Sequence, residues 1–252
     1  AEVLNRVIEK AIRGSAPAQI NVPRDYWTQV IDIELPPIVR FERQGGGKDA
    51  IQRAAKMLSD AKFPVILSGA GVVIGDAINE CKALAEKLDA PVCNGYQHND
   101  SFPGSHPLAV GPLGYNGSKA AMELISKADV VLALGTRLNP FSTLPGYGID
   151  YWPKNANIIQ VDMNPDRIGL TKKVTVGIAG DAKQVAKQIF DKLSSNAGDS
   201  GRDERKNLIH QTKSAWLQTL TSLDHEDDDP GTVWNKEARE RDKDRMLSLI
   251  HI

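Results

Sequence analysis

The residues whose types and spacing suit chemistry are glycines, carboxylates and one arginine at the ends of apolar runs. They are Gly69 and Gly71, Gly114 and Gly117, Gly135 with Thr136 and Arg137, Asp162, and Gly180 with Asp181. Glycine lets a backbone approach a phosphate closely, and N–H groups at the start of a helix favour an anion. A carboxylate at a strand end accepts hydrogen bonds from ribose hydroxyls, and an arginine meets a phosphate with two parallel donors. Together they spell a nucleotide cleft. The same residues also serve as turn formers and helix caps with no ligand, and both readings stay open. Ser68-Gly69-Ala70-Gly71 has its third glycine at Gly75, and Ile74 stands where the dinucleotide fingerprint needs glycine.

Other chemistries find no footing. The five histidines (His98, His106, His210, His225 and His251) make no His-x-x-x-His pair, so a zinc site is not expected. No Gly-x-Ser-x-Gly elbow and no lysine closing a glycine loop is present. The acidic run at 224–229 lacks the alternating ligands and central glycine of a calcium loop and reads as a solvated linker. No catalytic residue and no metal ligand is assigned.

The elements that must position the strand-end residues follow from periodicity. Ile51, Ala54, Ala55 and Leu58 form one helical face from Lys48 onward. An apolar strand at 63–68 runs into the glycine turn, and Ile78, Cys81, Leu84, Ala85 and Leu88 line a helix over 76–89. Further strands are expected at 90–93, 129–134, 157–161 and 174–178, with helices over 118–127 and from Asp181 to Leu193. Between them, 94–117 shows little periodicity, and 138–156 reads as a proline-bearing loop. Strands without polar alternation, alternating with helices, indicate an α/β fold: a doubly wound, mostly parallel, Rossmann-like sheet, here with helical and linker extensions. In such a sheet the carboxyl ends of the strands share one edge, where ligands are met.

The rest of the chain differs in texture. Leu4, Val7, Ile8, Ala11 and Ile12 give a helix over 2–13 with an apolar face, and 17–23 reads as a short strand. Both are too small to bury themselves. Pro36-Pro37 and Gly45-Gly46-Gly47 mark an extended linker. Ser/Gly-rich 194–201 reads as a flexible hinge, followed by a helix near 203–221 with Leu208, Trp216 and Leu220 as apolar points. With 252 residues, 41% of them apolar, there is room for a sizeable core, and a net charge of −1 argues against nucleic-acid binding. No run approaches the roughly 18 apolar residues of a membrane span, and the opening residues do not resemble a signal peptide. Cys81 and Cys93 read as two core thiols in a reducing, cytoplasmic setting.

The order of motifs resembles the thiamine-diphosphate-dependent enzymes of the acetohydroxyacid synthase and pyruvate oxidase group. Val22-Pro23-Arg24-Asp25 is similar to the end of their first, pyrimidine-binding domain. Their central domain carries a glycine turn like 68–71, a Gly-x-x-Gly like Gly114–Gly117, and Ala-Asp-x-x-apolar-x-x-Gly-x-Arg, matched from Ala128 to Arg137. Asp162-Met163-Asn164-Pro165, Ile168-Gly169 and Gly180-Asp181 complete the series over about 1–195. Within the group, 22–30 and 227–235 resemble a member that transfers an acetyl group. The resemblance implies that thiamine diphosphate and magnesium act in the intact chain. It implies that sulfoacetaldehyde and phosphate are the substrates, with acetyl phosphate and sulfite as products. It implies a homo-oligomer, dimeric or tetrameric.

It also implies a division of the chain: 1–25 as the end of the first domain, 26–47 as linker, 48–195 as the central domain, and 196–252 as a helix and charged linker toward a pyrophosphate-binding domain. The partners of this stretch are then the first and third domains. The group's cofactor grip, Gly-Asp-Gly with a later Asn, does not occur, so the stretch alone is expected to hold no thiamine cofactor and to be inactive. Leu138-Asn139-Pro140-Phe141 follow Arg137 where flavin-binding relatives carry acidic residues and a second arginine, so FAD is not expected. Gly69, Gly71, Gly114, Gly117, Gly135, Arg137, Asp162 and Asp181 remain as candidate nucleotide-contacting residues. The alternatives are an acetohydroxyacid synthase-like or oxalyl-CoA decarboxylase-like enzyme of the same layout, or an ADP- or CoA-binding module. The apolar tail 247–252 does not resemble the group, and disorder is expected from about Met246 onward.

Overall fold

The computed structural model describes residues 2–14, 16–34, 42–114 and 117–222. Pro36-Pro37, Tyr115-Asn116, the acidic run at 224–229 and the tail 247–252 lie outside the described residues. The chain divides into two compact units, 1–44 and 45–252.

In the first unit, helix α1 spans Glu2–Gly14 and buries none of its residues. Its apolar positions Val3, Leu4, Ile8 and Ile12 are exposed, as are Trp27, Val30 and Ile31 beyond it. The strand expected at 17–23 does not form; those residues run in irregular structure to a 3-10 turn at Arg24–Thr28. A lone extended segment has no neighbour to take its N–H and C=O groups, so no ladder can be built.

The second unit is a six-stranded, all-parallel sheet with flanking helices. Helix α2 (Lys48–Asp60) buries Ile51, Ala54, Ala55 and Leu58, the four positions expected from its periodicity. Strands β1 (Pro64–Ser68) and β4 (Val130–Leu134) are buried at every residue, as a sheet covered on both faces requires. Burying one side chain such as Leu67 contributes about 1.5–3 kcal/mol. Short helix α3 (Ala70–Ile74) and helix α4 (Ile78–Leu88) follow β1. The helix expected over 76–89 forms as α4; the added feature is α3, a short helix already within the glycine turn, set off from α4 where Asp76 takes φ +53°. Then come β2 (Val92–Asn94), β3 (Ala109–Pro112), α5 (Lys119–Ile125), β4, β5 (Asn157–Asp162), β6 (Val176–Ala179), α6 (Ala182–Lys192) and α7 (Arg202–Ser222).

The strand order is β3-β2-β1-β4-β5-β6, reversing beside β1 as in doubly wound folds. Strand β3 was not expected. It sits at the sheet edge, where Pro112 lacks only a donor, and its pairing with β2 shifts register between Val92 and Cys93. Asp129 of the Ala-Asp motif fixes the entry to β1: its two carboxylate oxygens accept from the N–H groups of Lys62 (2.7 Å) and Phe63 (3.0 Å). Among the described residues, no helix is long and apolar enough to cross a membrane.

Candidate functional site

Parallel strands send their carboxyl ends to one edge, so the glycine turns after β1 and β4 meet there. They meet as backbone on backbone. Gly71 N–H donates to Gly135 O at 2.8 Å, Gly69 N–H to Leu134 O at 3.1 Å, and Gly135 N–H to Val161 O at 3.0 Å. A Cβ on Gly71 would lie 2.6 Å from Gly135 Cα, and one on Gly69 2.6 Å from Thr136 Cβ. Gly135 also holds φ +61°. These glycines thus serve a seam between two turns, and the N–H of Gly71 is already taken.

The remaining expected residues lie along the same edge with their own tasks. Asp162 Oδ1 accepts from Asn164 N–H at 2.9 Å, closing the turn after β5. Asp181, buried, caps α6: Oδ1 accepts from the N–H groups of Lys183 (3.1 Å) and Gln184 (3.2 Å). That is the role of a carboxylate at a helix start. Gly114 lies against the Phe141 and Ser142 backbone, and Gly117 against Pro112 and Leu113. Gly117 N–H donates to Gly114 O at 2.9 Å, so this turn also closes on itself. Arg137 is exposed, and its guanidinium has no partner among the described residues. The structure brings Gly69, Gly71 and Gly135 into contact; Gly114 and Gly117 form a separate cluster.

Sequence reading missed Gln160. It is buried in the middle of β5, yet Nε2 donates to Thr136 O and Arg167 O (both 3.2 Å) and Oε1 accepts from Gly169 N–H at 2.9 Å. Each side-chain group is paired, as burial demands. Its only signal was a polar residue inside an apolar run. A second buried polar group joins Ser68, Asn94 and Ser101: Ser68 Oγ donates to Ser101 O at 3.1 Å and Asn94 Nδ2 to Ser101 Oγ at 2.9 Å. Burial pushes the Cys81 thiol up to about 12, and pushes Cys93 up as well; both are free thiols. Neither is a nucleophile at neutral pH.

A groove of about 1220 Å³ opens between β3, α5 and α7. Leu108, Val110, Trp216, Leu217 and Leu220 give it an apolar lining, and Trp216 meets Tyr147 edge-on at 5.5 Å. Several of its basic side chains are engaged by protein: Lys213 Nζ donates to Pro107 O at 2.7 Å, Lys206 pairs with Asp89 at 3.3 Å, and His106 Nε2 lies 3.2 Å from Glu86. Among the described residues, no group of three or more His, Cys, Asp or Glu side chains converges as a metal site would.

A sheet of this order, with its helices and its carboxyl-edge turns, defines a class. The family profile of the thiamine pyrophosphate enzyme central domain matches residues 51–189, more than half of the chain, and the chain belongs to that family. It is 79% identical to a probable sulfoacetaldehyde acetyltransferase of Rhizobium meliloti (strain 1021), over 97% of this chain and 42% of that protein. It is 73% identical to a sulfoacetaldehyde acetyltransferase of Roseovarius nubinhibens, over 98% and 41%. A probable acetolactate synthase large subunit of Methanocaldococcus jannaschii is 36% identical, over 88% and 36%. The chain thus spans about two-fifths of the length of these two sulfoacetaldehyde acetyltransferase relatives. The crystal structure of benzoylformate decarboxylase from Polynucleobacter necessarius superposes with a TM-score of 0.56 at 23% identity, covering 71% of this chain and 33% of that one, which shows the shared fold.

Proposed function

We propose that this chain is the central part of a sulfoacetaldehyde acetyltransferase. One observation carries the reading: identity of 79% extends over 245 residues, well outside the 51–189 that the family profile matches. Against the acetolactate synthase relative it falls to 36%. In the intact enzyme, sulfoacetaldehyde and phosphate are converted to acetyl phosphate and sulfite, with thiamine diphosphate and magnesium as cofactors, in the cytoplasm and in a homo-oligomer. The role of 48–195 is scaffolding.

The residues present do not fit a thiamine diphosphate grip. The Gly-Asp pair at Gly180-Asp181 directs its carboxylate into the start of α6, and no described cluster of acidic or histidine side chains suits a cation. The seam of Gly69 and Gly71 on Gly135 supports the expectation that FAD is not bound. The exposed face of α1, with Trp27 and Val30, suits contact with the first domain, and the apolar groove beside α7 suits contact with the third.

The test is the intact enzyme assayed for sulfite release with sulfoacetaldehyde, phosphate and thiamine diphosphate. Phosphate-dependent sulfite release is expected. Turnover of pyruvate or oxalyl-CoA without sulfite release would move the chain to an acetohydroxyacid synthase-like or oxalyl-CoA decarboxylase-like enzyme.

A further inference from the structure

The stretch 194–201 is not a loose hinge. Ala197 and Gly198 are buried, Lys87 Nζ donates to Ser195 O at 2.7 Å, and Ser194 N–H donates to Ser59 Oγ at 3.1 Å. Gly198 holds φ +83°, and a Cβ there would lie 2.8 Å from Leu88 Cα. The centre of this arrangement is Arg205, on the first turns of α7 and only 1% exposed. Its five donors reach five backbone carbonyls. Nε donates to Asp89 O (2.9 Å), one terminal nitrogen to Lys62 O (2.5 Å) and Ser200 O (2.8 Å), and the other to Leu88 O (2.8 Å) and Gly198 O (2.6 Å).

We propose that Arg205 is the positioning residue of a rigid joint that fixes the direction in which α7 leaves the α/β body. The physical case rests on where the carbonyls come from. Leu88 and Asp89 end α4, whose last carbonyls lack partners inside the helix and carry its negative dipole end. Lys62 leads into β1, and Gly198 and Ser200 lead into α7 itself. One planar guanidinium thus ties three stretches far apart in sequence. Lysine has three donors on a single nitrogen and cannot span them. Asp89 adds a second tier: its carboxylate lies 2.7 Å from Arg202 Nε and 3.3 Å from Lys206 Nζ, both on α7. With α7 clamped in this way, its direction is set by the sheet, and domain movement does not take place at 194–201. This holds whichever thiamine enzyme the chain belongs to.

Amide hydrogen exchange tests the joint in the full-length protein. In the unaltered protein, amides over 198–206 exchange slowly, and on titration with urea they lose protection together with the end of α4. Arg205→Lys keeps the charge and removes the fork; it is expected to raise exchange over 198–206 at least about tenfold while β1 and β4 stay protected. Gly198→Ala leaves Arg205 intact, pushes the loop off Leu88, and is expected to release the same amides. Unchanged protection in both variants would overturn the proposal. So would loss spread evenly over the sheet, which marks general destabilisation. If neither variant folds, the urea series decides: loss over 198–206 at lower urea than at the end of α4 contradicts a single rigid joint.

Discussion

The two edges of the sheet are closed by opposite chemistry. In a parallel sheet with helical crossovers, the carboxyl edge collects helix starts, which offer N–H groups, and the amino edge collects helix ends, which offer carbonyls. At the carboxyl edge the closing groups are acceptors and bare backbone: Asp181 Oδ1 on α6, Ser118 Oγ on α5, and Gly71 against Gly135. At the amino edge the closing group is a cation, Arg205, on the carbonyls that end α4 and flank β1. The carboxyl edge is where ligands bind in this architecture. Here its turns are sealed on one another, which is what a scaffold asks of them.

Substitutions separate the two kinds of closure, and the largest effect is expected at the glycine seam. Gly135→Val places a branched side chain at φ +61° against the backbone of Gly71 and Val72. A loss of more than about 4 kcal/mol, seen as failure to refold from urea, is expected. Next, Arg205→Met leaves five carbonyls without their donor, and a loss of about 3 kcal/mol by urea unfolding is expected. If Arg205→Met matched or exceeded Gly135→Val, the amino edge would be the stronger closure. Asp181→Ala removes one helix cap, with a loss of about 1 kcal/mol expected in the same assay. Arg137→Ala, at an exposed site, is expected to change stability by less than about 0.5 kcal/mol.

The difference between the edges also explains what was legible in the sequence. Glycine and aspartate punctuate the ends of apolar runs, so residue order alone places Gly69, Gly71, Gly135 and Asp181 at strand ends. Their task is not legible in the same way, because a glycine that admits a phosphate and one that admits another backbone look alike. Arg205 was invisible for a different reason. An arginine in a charged stretch reads as surface, and its burial depends on carbonyls from residues 62, 88 and 89 that only tertiary structure brings near. Helix α2 and strands β1, β4 and β5 were clear from apolar pattern. Strand β3 was not, because Gly111 and Pro112 interrupt a four-residue edge strand. Gln160 was hidden in an apolar run for the same reason as Arg205: its partners are distant in sequence.

Alkali offers a milder probe of the core between the edges. Burial raises the folded-state value of the Cys81 thiol to about 12, and raises that of Cys93 in the same direction. The folded state therefore favours the neutral thiols. Their contribution to stability is complete below the unfolded-state value, near 9, and is lost as pH rises from there toward the folded-state value. Urea midpoints are expected to fall above pH 9, and a thiol reagent at pH 8 is expected to label neither cysteine until the protein unfolds.

The most direct measurement is calorimetric titration of the 252-residue protein with ADP, CoA, FAD and thiamine diphosphate. A central domain that acts as scaffold, with its carboxyl-edge turns sealed at Gly71 and Gly135, is expected to give four flat titrations. Saturable heat with any of the four, abolished by Arg137→Ala, would contradict it and make this edge a nucleotide site.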